Sequence, residues 1–145
     1  MKTTGRCLCG AIQFEYEGDP LESVHCHCDS CRRQTSSPVA TFVMVPRSAL
    51  RFTRGSTKEF VSSPGVRRSF CAECGSPIAY QSDRRPEIVD LYAGTLSDPS
   101  SVTPSCHVHT EEQLSWFEIV DELPRYAQGR RGATPVRYGP RKPPE

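Results

Sequence analysis

Apolar and polar side chains alternate over residues 11–17 at the period of two that is typical of a β-strand, and six further short stretches along the chain are strand candidates. Seven such runs are separated by turn sequences at 18–20, 55–56, 63–65 and 98–99, each containing glycine or proline with a small polar residue. The predicted strands lie at 11–17, 37–45, 50–53, 58–62, 66–70, 78–80 and 87–93. The pattern therefore predicts a mainly β fold of small antiparallel sheets with little helix.

Helical signals are short by comparison. Asp29 is expected to cap one turn that runs to about residue 34, and Asp98 is expected to cap another before Pro104. A further single turn is expected at 110–114. From residue 127 to 145 the chain is basic and rich in glycine and proline, which predicts a mobile tail. The folded domain is accordingly predicted to span 1–126.

Composition narrows the class of protein. The chain has 145 residues, 36% of them hydrophobic, with 13 prolines and 10 glycines, so it can bury one modest core. No apolar run approaches the roughly 20 residues that cross a bilayer, and the first ten residues lack the apolar centre of a signal peptide. These observations predict a cytoplasmic protein without a membrane partner. With 18 basic and 17 acidic residues, nucleic acid is an unlikely partner.

The eight cysteines change the picture, because seven of them fall into three tight clusters. The clusters are Cys7-x-Cys9, Cys26-x-Cys28-x-x-Cys31 and Cys71-x-x-Cys74. Such spacings present thiolates to a soft metal, with zinc as the default. A disulfide framework is the alternative, but it belongs to oxidising compartments, and a C-x-C pair is poorly spaced for an unstrained bridge.

Counting ligands predicts two different zinc sites. Two pairs make one closed site of four thiolates, which is the usual structural pattern, and we assign to it Cys7, Cys9, Cys71 and Cys74. The triplet leaves a fourth position that water or substrate can take, which is the catalytic pattern. Cys106 or His107 would close that position if either reached it. His25 and His27 are poor ligands by strand alternation, and are expected either to pack or to hydrogen-bond behind the cysteines.

The order and spacing of these clusters resemble one known family. The sequence is similar to the glutathione-dependent formaldehyde-activating enzymes, which include centromere protein V. The similarity rests on the segments GRCLCGAIQFEYEG, HCHCDSCRRQTSSP, SSPGVRRSFCAECGSPIAY, LYAGTLSDP and WFEIVDELPRY. The resemblance implies a tent-like β fold with a structural zinc on the four paired cysteines. It also implies a catalytic zinc on Cys26, Cys28 and Cys31.

The resemblance further implies an activity. The named family reaction joins glutathione to formaldehyde to give S-hydroxymethylglutathione, and is classed as a carbon–sulfur lyase reaction. The expected partner is therefore a small thiol, with glutathione first, and the electrophile is formaldehyde or another small aldehyde. A non-catalytic zinc module that binds other macromolecules, with both metals structural, is the alternative. The arginines beside the clusters are expected mostly to be solvated surface, and in a smaller part to offset thiolate charge.

Overall fold

The computed structural model describes residues 1–129, and over these residues the predicted mainly β fold is confirmed. Its strands are β1 (Lys2–Arg6), β2 (Gln13–Glu17), β3 (Glu22–Cys26), β4 (Ala40–Pro46), β5 (Leu50–Arg54), β6 (Lys58–Ser63), β7 (Val66–Phe70), β8 (Pro77–Ser82), β9 (Ile88–Tyr92) and β10 (Cys106–Val108). The α-helix of the described part is α1 (Asp29–Thr35). The chain separates into two compact units, the first comprising Met1–Ser23 with Phe42–Thr103 and the second beginning with Val24–Thr41 and continuing from Pro104.

The first unit contains most of the sheet structure. Strands β1, β2 and β5 form an antiparallel sheet in that order, and β4, β9, β8, β7 and β6 follow one another as antiparallel neighbours. The alternation read from the sequence is visible in β2, where Phe14 and Tyr16 are buried while their neighbours are half-buried or exposed. The predicted strand at 11–17 starts two residues later, because residues 7–12 make a turn closed by the Cys7 N–H donating to the Ile12 carbonyl.

The core of the first unit is made by the inward residues of these strands. It includes Val43, Val45, Ile78, Val89 and Leu91, all with 1% exposure or less. Burial of aliphatic side chains of this size stabilises a fold by about 1.5–3 kcal/mol each. Cys7 and Cys71 belong to the same cluster of buried side chains. One group of cysteines is therefore built into the main core.

The second unit is organised around the shortest strand. β10 pairs in parallel with the end of β3, so that Cys106, His107 and Val108 lie opposite 24, 25 and 26. On its other side β10 is bordered by residues 124–128, since His107 donates to the Pro124 carbonyl and accepts from the Tyr126 N–H. β10 is thus paired along both edges, and the chain beyond it returns to the same place.

Three elements were not expected from the sequence pattern. β1 (KTTGR) has no apolar alternation, β10 has only three residues, and only the end of β3 had been treated as extended. The short turns were expected more accurately. Asp98 caps the 3₁₀ turn Pro99–Ser101 by accepting from the Ser100 N–H, and a further 3₁₀ turn covers Thr110–Glu112.

The remaining predictions about the fold concern the C-terminal tail, the domain bounds and the absence of a membrane span. Of the predicted tail at 127–145, residues 130–145 lie outside the described residues, and the single domain at 1–126 stays a prediction. Within the described range, no helix is both long enough and apolar enough to cross a membrane.

Candidate metal centres

The four paired cysteines converge in the first unit. Possible ligand atoms of Cys7, Cys9, Cys71 and Cys74 all lie within 4.8 Å of one another. The Cys7 and Cys9 sulfurs are 3.6 Å apart and those of Cys9 and Cys71 are 3.8 Å apart. Four thiolates at about 2.3 Å from a tetrahedral ion would be separated by about 3.8 Å. The donor set therefore fits one zinc-sized ion, and all four residues can hold it.

Two turns place these sulfurs. After β7 the chain turns at residues 71–76, where the Cys71 N–H donates to the Ser76 carbonyl and the Gly75 N–H donates to the Cys71 carbonyl. Gly75 has a φ of +79°, which an L side chain adopts only with strain. At the other turn the Ile12 N–H points at the Cys7 sulfur at 3.3 Å. Backbone donors aimed at sulfur favour the thiolate that a metal requires.

Ser76 adds a link between the two halves of this cluster. Its hydroxyl lies 3.2 Å from the Cys74 sulfur and accepts the Leu8 N–H at 3.0 Å. The Ser76 hydroxyl is the main cause that lowers the pKa of Cys74, to about 5. Cys74 is therefore disposed to be a thiolate at neutral pH.

The triplet forms a separate cluster in the second unit. Cys26 ends β3, Cys28 precedes α1 and Cys31 lies in its first turn, and their ligand atoms also lie within 4.8 Å of one another. The prediction that Asp29 caps this helix is wrong by one residue. The cap is Cys28, whose sulfur accepts the Cys31 N–H at 3.2 Å, while Asp29 is the first helical residue. The capping bond holds the Cys28 sulfur at the start of α1, next to the backbone of Cys31.

Charge is distributed unevenly over the triplet. The hydrogen bonds that Cys28 shares with the Cys26 and Cys31 thiols lower the pKa of Cys28 to about 2, and the bond with Cys26 contributes most. The hydrogen bond between Cys26 and Cys28 is also the main cause that raises the pKa of Cys26. Cys26 and Cys31 are buried, whereas Cys28 is partly exposed. A cation that replaced the two shared protons would be held by three thiolates, so the triplet also fits a soft metal.

Neither residue suggested as a fourth ligand joins the triplet. Among the described residues, the group of potential ligand atoms comprises three cysteines, without Cys106 or His107. Strand geometry explains this. His107 lies opposite His25 in the parallel pair and shares its face, which is the other face from Cys26. Cys106 shares the face of Cys26 but lies opposite Val24, one full pleat repeat away, or about 7 Å.

The histidines behind the triplet hydrogen-bond rather than merely pack. Nδ1 of His25 lies 2.8 Å from the Thr41 hydroxyl, and Nε2 of His27 lies 2.8 Å from Nδ1 of His107. Nε2 of His107 is in turn 2.9 Å from Oδ2 of Asp121. Burial lowers the pKa of His107, so the neutral imidazole is favoured.

The arginines have more varied roles than ordinary solvated surface. Arg32 donates from Nε to the His27 carbonyl and from Nη2 to the Glu112 carbonyl, which braces the loop of the triplet. Arg33 is mostly exposed and pairs with Asp29. Arg68 is buried at 4% exposure and lies 5.0 Å above the ring of Tyr80. Arg33 therefore has the surface role that was expected for most of these arginines, whereas Arg68 is an exception.

Known proteins with these features point to one family. The sequence profile described as glutathione-dependent formaldehyde-activating enzyme matches residues 2–112, which include all seven clustered cysteines. The chain belongs to this family. An uncharacterized lyase of Schizosaccharomyces pombe is 29% identical to this family member over 90 residues, which are 61% of this chain and 65% of that protein. The chain thus spans slightly less than two thirds of that relative.

Two further likenesses agree with the assignment. A protein of Halomonas elongata, named provisionally as a glutathione-dependent formaldehyde-activating enzyme, is 27% identical over 129 residues, or 82% of each chain. A crystal structure of a Rhodobacter sphaeroides protein superposes with a TM-score of 0.57 and 27% identity, covering 70% of this chain and 91% of that one. The printed names of the two relatives agree with the family, and the solved structure agrees with the fold.

Sequence reasoning missed one part of the site of this family member. Asp121 and its partner Arg125 lie 90 or more residues after the triplet, and neither stands in a recognisable metal-ligand spacing. Both residues lie in the segment WFEIVDELPRY, which carried part of the family resemblance but indicated no contact with the triplet. The parallel pairing of β10 with β3, which brings His107 to His27, could not be read from the sequence.

Proposed function

We propose that this family member is a zinc enzyme of the carbon–sulfur lyase type that joins glutathione, or a similar thiol, to formaldehyde or another small aldehyde. The observation that carries the proposal is the triplet Cys26, Cys28 and Cys31, whose three sulfurs converge without a fourth cysteine, histidine or carboxylate among the described residues. Three protein ligands are typical of catalytic zinc sites, where a fourth position is left for water or substrate.

The two cysteine clusters would have different roles, one structural and one catalytic. Zinc on Cys7, Cys9, Cys71 and Cys74 would be structural, because four thiolates complete a tetrahedral shell. Zinc on the triplet would supply a positive charge that favours the thiolate form of a bound thiol and polarises a carbonyl oxygen. This assignment makes two ions per chain, one in each unit.

The reaction needs little from the protein besides orientation and charge. The thiol sulfur attacks the aldehyde carbon, so that a carbon–sulfur bond forms while the carbonyl π electrons move to oxygen. The oxygen then takes one proton, the thiol has lost one, and the product is a hydroxymethyl thioether with no change in redox balance. Lyase chemistry is the same step in reverse.

The exposure and the geometry of the three cysteines determine the side from which a substrate can approach. Cys26 and Cys31 are buried and close one side of the triplet, whereas Cys28 reaches the surface of its unit. The side from which a substrate can approach is therefore that of Cys28. The capping bond from the Cys31 N–H to the Cys28 sulfur keeps this exposed thiolate in place.

Calorimetric titration of reduced glutathione into protein shown to hold two zinc ions tests the proposal. We expect saturable binding in the wild-type chain and in Cys106→Ser, which changes a buried cysteine that is not part of the triplet. We expect no binding in Cys28→Ser. Binding should be followed by formation of the S-hydroxymethyl adduct when formaldehyde is added, as monitored by ¹³C NMR.

Two outcomes would contradict the proposal. If glutathione failed to bind while both zinc ions were present, the substrate assignment would be wrong. If Cys28→Ser bound glutathione as well as the wild type, the thiol would not be held at the triplet. The non-catalytic binding module would then be the better description.

A further inference from the structure

A chain of side-chain hydrogen bonds leads from the loop at residues 119–125 to the cysteine triplet. It runs from Asp121 to His107 over 2.9 Å and from His107 to His27 over 2.8 Å. Both imidazoles are fully buried. His27 stands between Cys26 and Cys28, so the chain ends within the ligand sequence itself.

Asp121, at the far end of this series of hydrogen bonds, determines where the protons lie on the two imidazoles. Oδ1 of Asp121 accepts from the Leu123 N–H at 3.0 Å and from Nη1 of Arg125 at 2.9 Å. Burial alone would raise the pKa of Asp121, but the bonds from His107, the Leu123 N–H and Arg125 outweigh it and lower the pKa. Asp121 is therefore an ionised carboxylate whose second oxygen can only accept.

That acceptor determines both tautomers. Nε2 of His107 must carry the proton that it donates to Oδ2 of Asp121, and in a neutral ring Nδ1 is then an acceptor. Nε2 of His27 must in turn carry the proton that it donates to Nδ1 of His107. One carboxylate thus specifies the N–H position on two successive rings.

The backbone of His27 is held as well as its side chain. Its N–H donates to the Val108 carbonyl at 3.1 Å, and its carbonyl accepts from Nε of Arg32 at 3.2 Å. With the ring bonded to His107, the residue is fixed at three atoms. The two cysteines that flank it have correspondingly little freedom to separate.

We propose that Asp121 is a positioning residue for the triplet, which acts through His107 on the ring of His27 and so holds Cys26 and Cys28 at the spacing that one metal ion requires. The inference rests on the proposed metal at the triplet and not on the identity of the thiol. Groups that orient ligands from behind typically change metal affinity by 10- to 100-fold when they are replaced. We expect a loss of zinc affinity of about 10-fold, the lower end of that range. These hydrogen bonds act through His27, which lies between two ligands and is not itself a ligand.

Asp121→Asn tests the proton assignment with almost no change in shape. Because Oδ1 receives two donors, the amide oxygen of asparagine should stay there, which turns the NH₂ group toward Nε2 of His107. His107 must then accept at Nε2 and donate from Nδ1, and the proton of His27 must move from Nε2 to Nδ1. Long-range ¹H–¹⁵N NMR of the zinc-loaded full chain should show both rings with inverted tautomers.

The second readout is metal affinity. Competition with a chromophoric chelator should show the triplet's zinc bound about 10-fold more weakly in Asp121→Asn, because a neutral hydrogen bond replaces the stronger charge-assisted bond to the carboxylate and the rings are held less firmly. The zinc of the four paired cysteines should be retained as in wild type. Asp98→Asn is the matched control, since Asp98 also accepts a backbone N–H two residues ahead but lies in the first unit. We expect it to change neither tautomers nor zinc binding.

Unchanged tautomers in Asp121→Asn, or inverted tautomers with unchanged zinc affinity, would overturn the inference. If that variant does not fold, His27→Gln and His27→Leu decide the matter, because glutamine keeps an N–H donor for Nδ1 of His107 and leucine does not. Equal zinc affinity of these two variants would also overturn it. None of these measurements involves glutathione, so a failure of the proposed reaction would be seen separately.

Discussion

The two cysteine clusters differ in how far apart their ligands lie along the chain. The four-cysteine cluster joins residues separated by 62 positions and includes two members of the main hydrophobic core. The triplet lies within six consecutive residues, 26–31, at the start of the seven-residue helix α1. A cross-link over a long loop removes much of the freedom of the unfolded chain, about 4 kcal/mol for a disulfide over such a loop, whereas a local one removes little. Stability should therefore depend on the first cluster and activity on the second.

The largest expected effect comes from breaking the long-range cluster. Cys74→Ser should leave the chain unfolded or insoluble, because structural zinc contributes about 10–16 kcal/mol in zinc-finger peptides, comparable to the whole stability of a domain. Circular dichroism and thermal melting would measure this. Cys28→Ser is the counterpart, and should keep the fold while losing activity by roughly 100-fold or more. Unfolding of Cys28→Ser would refute this division between the clusters.

Gradual removal of metal should separate the same two roles in the unaltered protein. With increasing chelator, we expect the first ion to leave the three-ligand site, abolishing activity while the circular dichroism spectrum is retained. Loss of the second ion should unfold the chain. Parallel measurements of zinc content, activity and circular dichroism at each chelator concentration would show the order. Simultaneous loss of both ions would mean that the clusters do not differ in the expected way.

Acid should affect the unit that holds the triplet through its buried histidines. Burial lowers the pKa values of His107 and His25 from 6.5, so the unfolded chain takes up these protons before the folded chain does. The stability that they contribute is present above pH 6.5 and is lost as the pH falls through the lower folded values. Wild type should accordingly lose more free energy of unfolding between pH 7.5 and 5.5 than His107→Gln, as measured by urea denaturation. Since ligand protonation is common to both proteins, equal losses would exclude this contribution.

The smallest effect is expected at the turn that carries Cys71 and Cys74. Gly75→Ala places a side chain at a φ of +79° in otherwise open space, so only backbone strain of about 1 kcal/mol opposes it. Thermal melting should show a decrease of several degrees with both zinc ions retained. Gly94→Ala is the control, because its surroundings are also open and its φ is not positive. Equal melting temperatures of the two variants would argue against strain at the turn.

The sequence predicted which cysteines come together better than it predicted their surroundings. Cysteine spacing was sufficient for both clusters, because each pair or triplet is a local feature and the count of cysteines leaves few combinations. The strands at 50–53, 58–62 and 66–70 were also predicted, since turn sequences with glycine separate them. β1 and β10 were missed because β1 has too few apolar residues, and β10 too few residues of any kind, to show a period. Asp121 was missed, and His107 was considered only as a fourth ligand, because their position behind the triplet depends on a parallel pairing between distant segments.

The hydrogen bonds from β10 to residues 124–128 bear on where this kind of protein ends as a folding unit. The family profile stops at residue 112, yet the N–H and the carbonyl of His107 are bonded to the backbone of Pro124 and Tyr126, beyond that boundary. A chain cut at the profile boundary would lack the second neighbour of β10, along with Asp121 and Arg125. The stretch that the family profile matches is therefore shorter than the stretch that must be synthesised to complete the triplet's surroundings. A boundary drawn from the profile alone would remove part of the structure that borders the three cysteines.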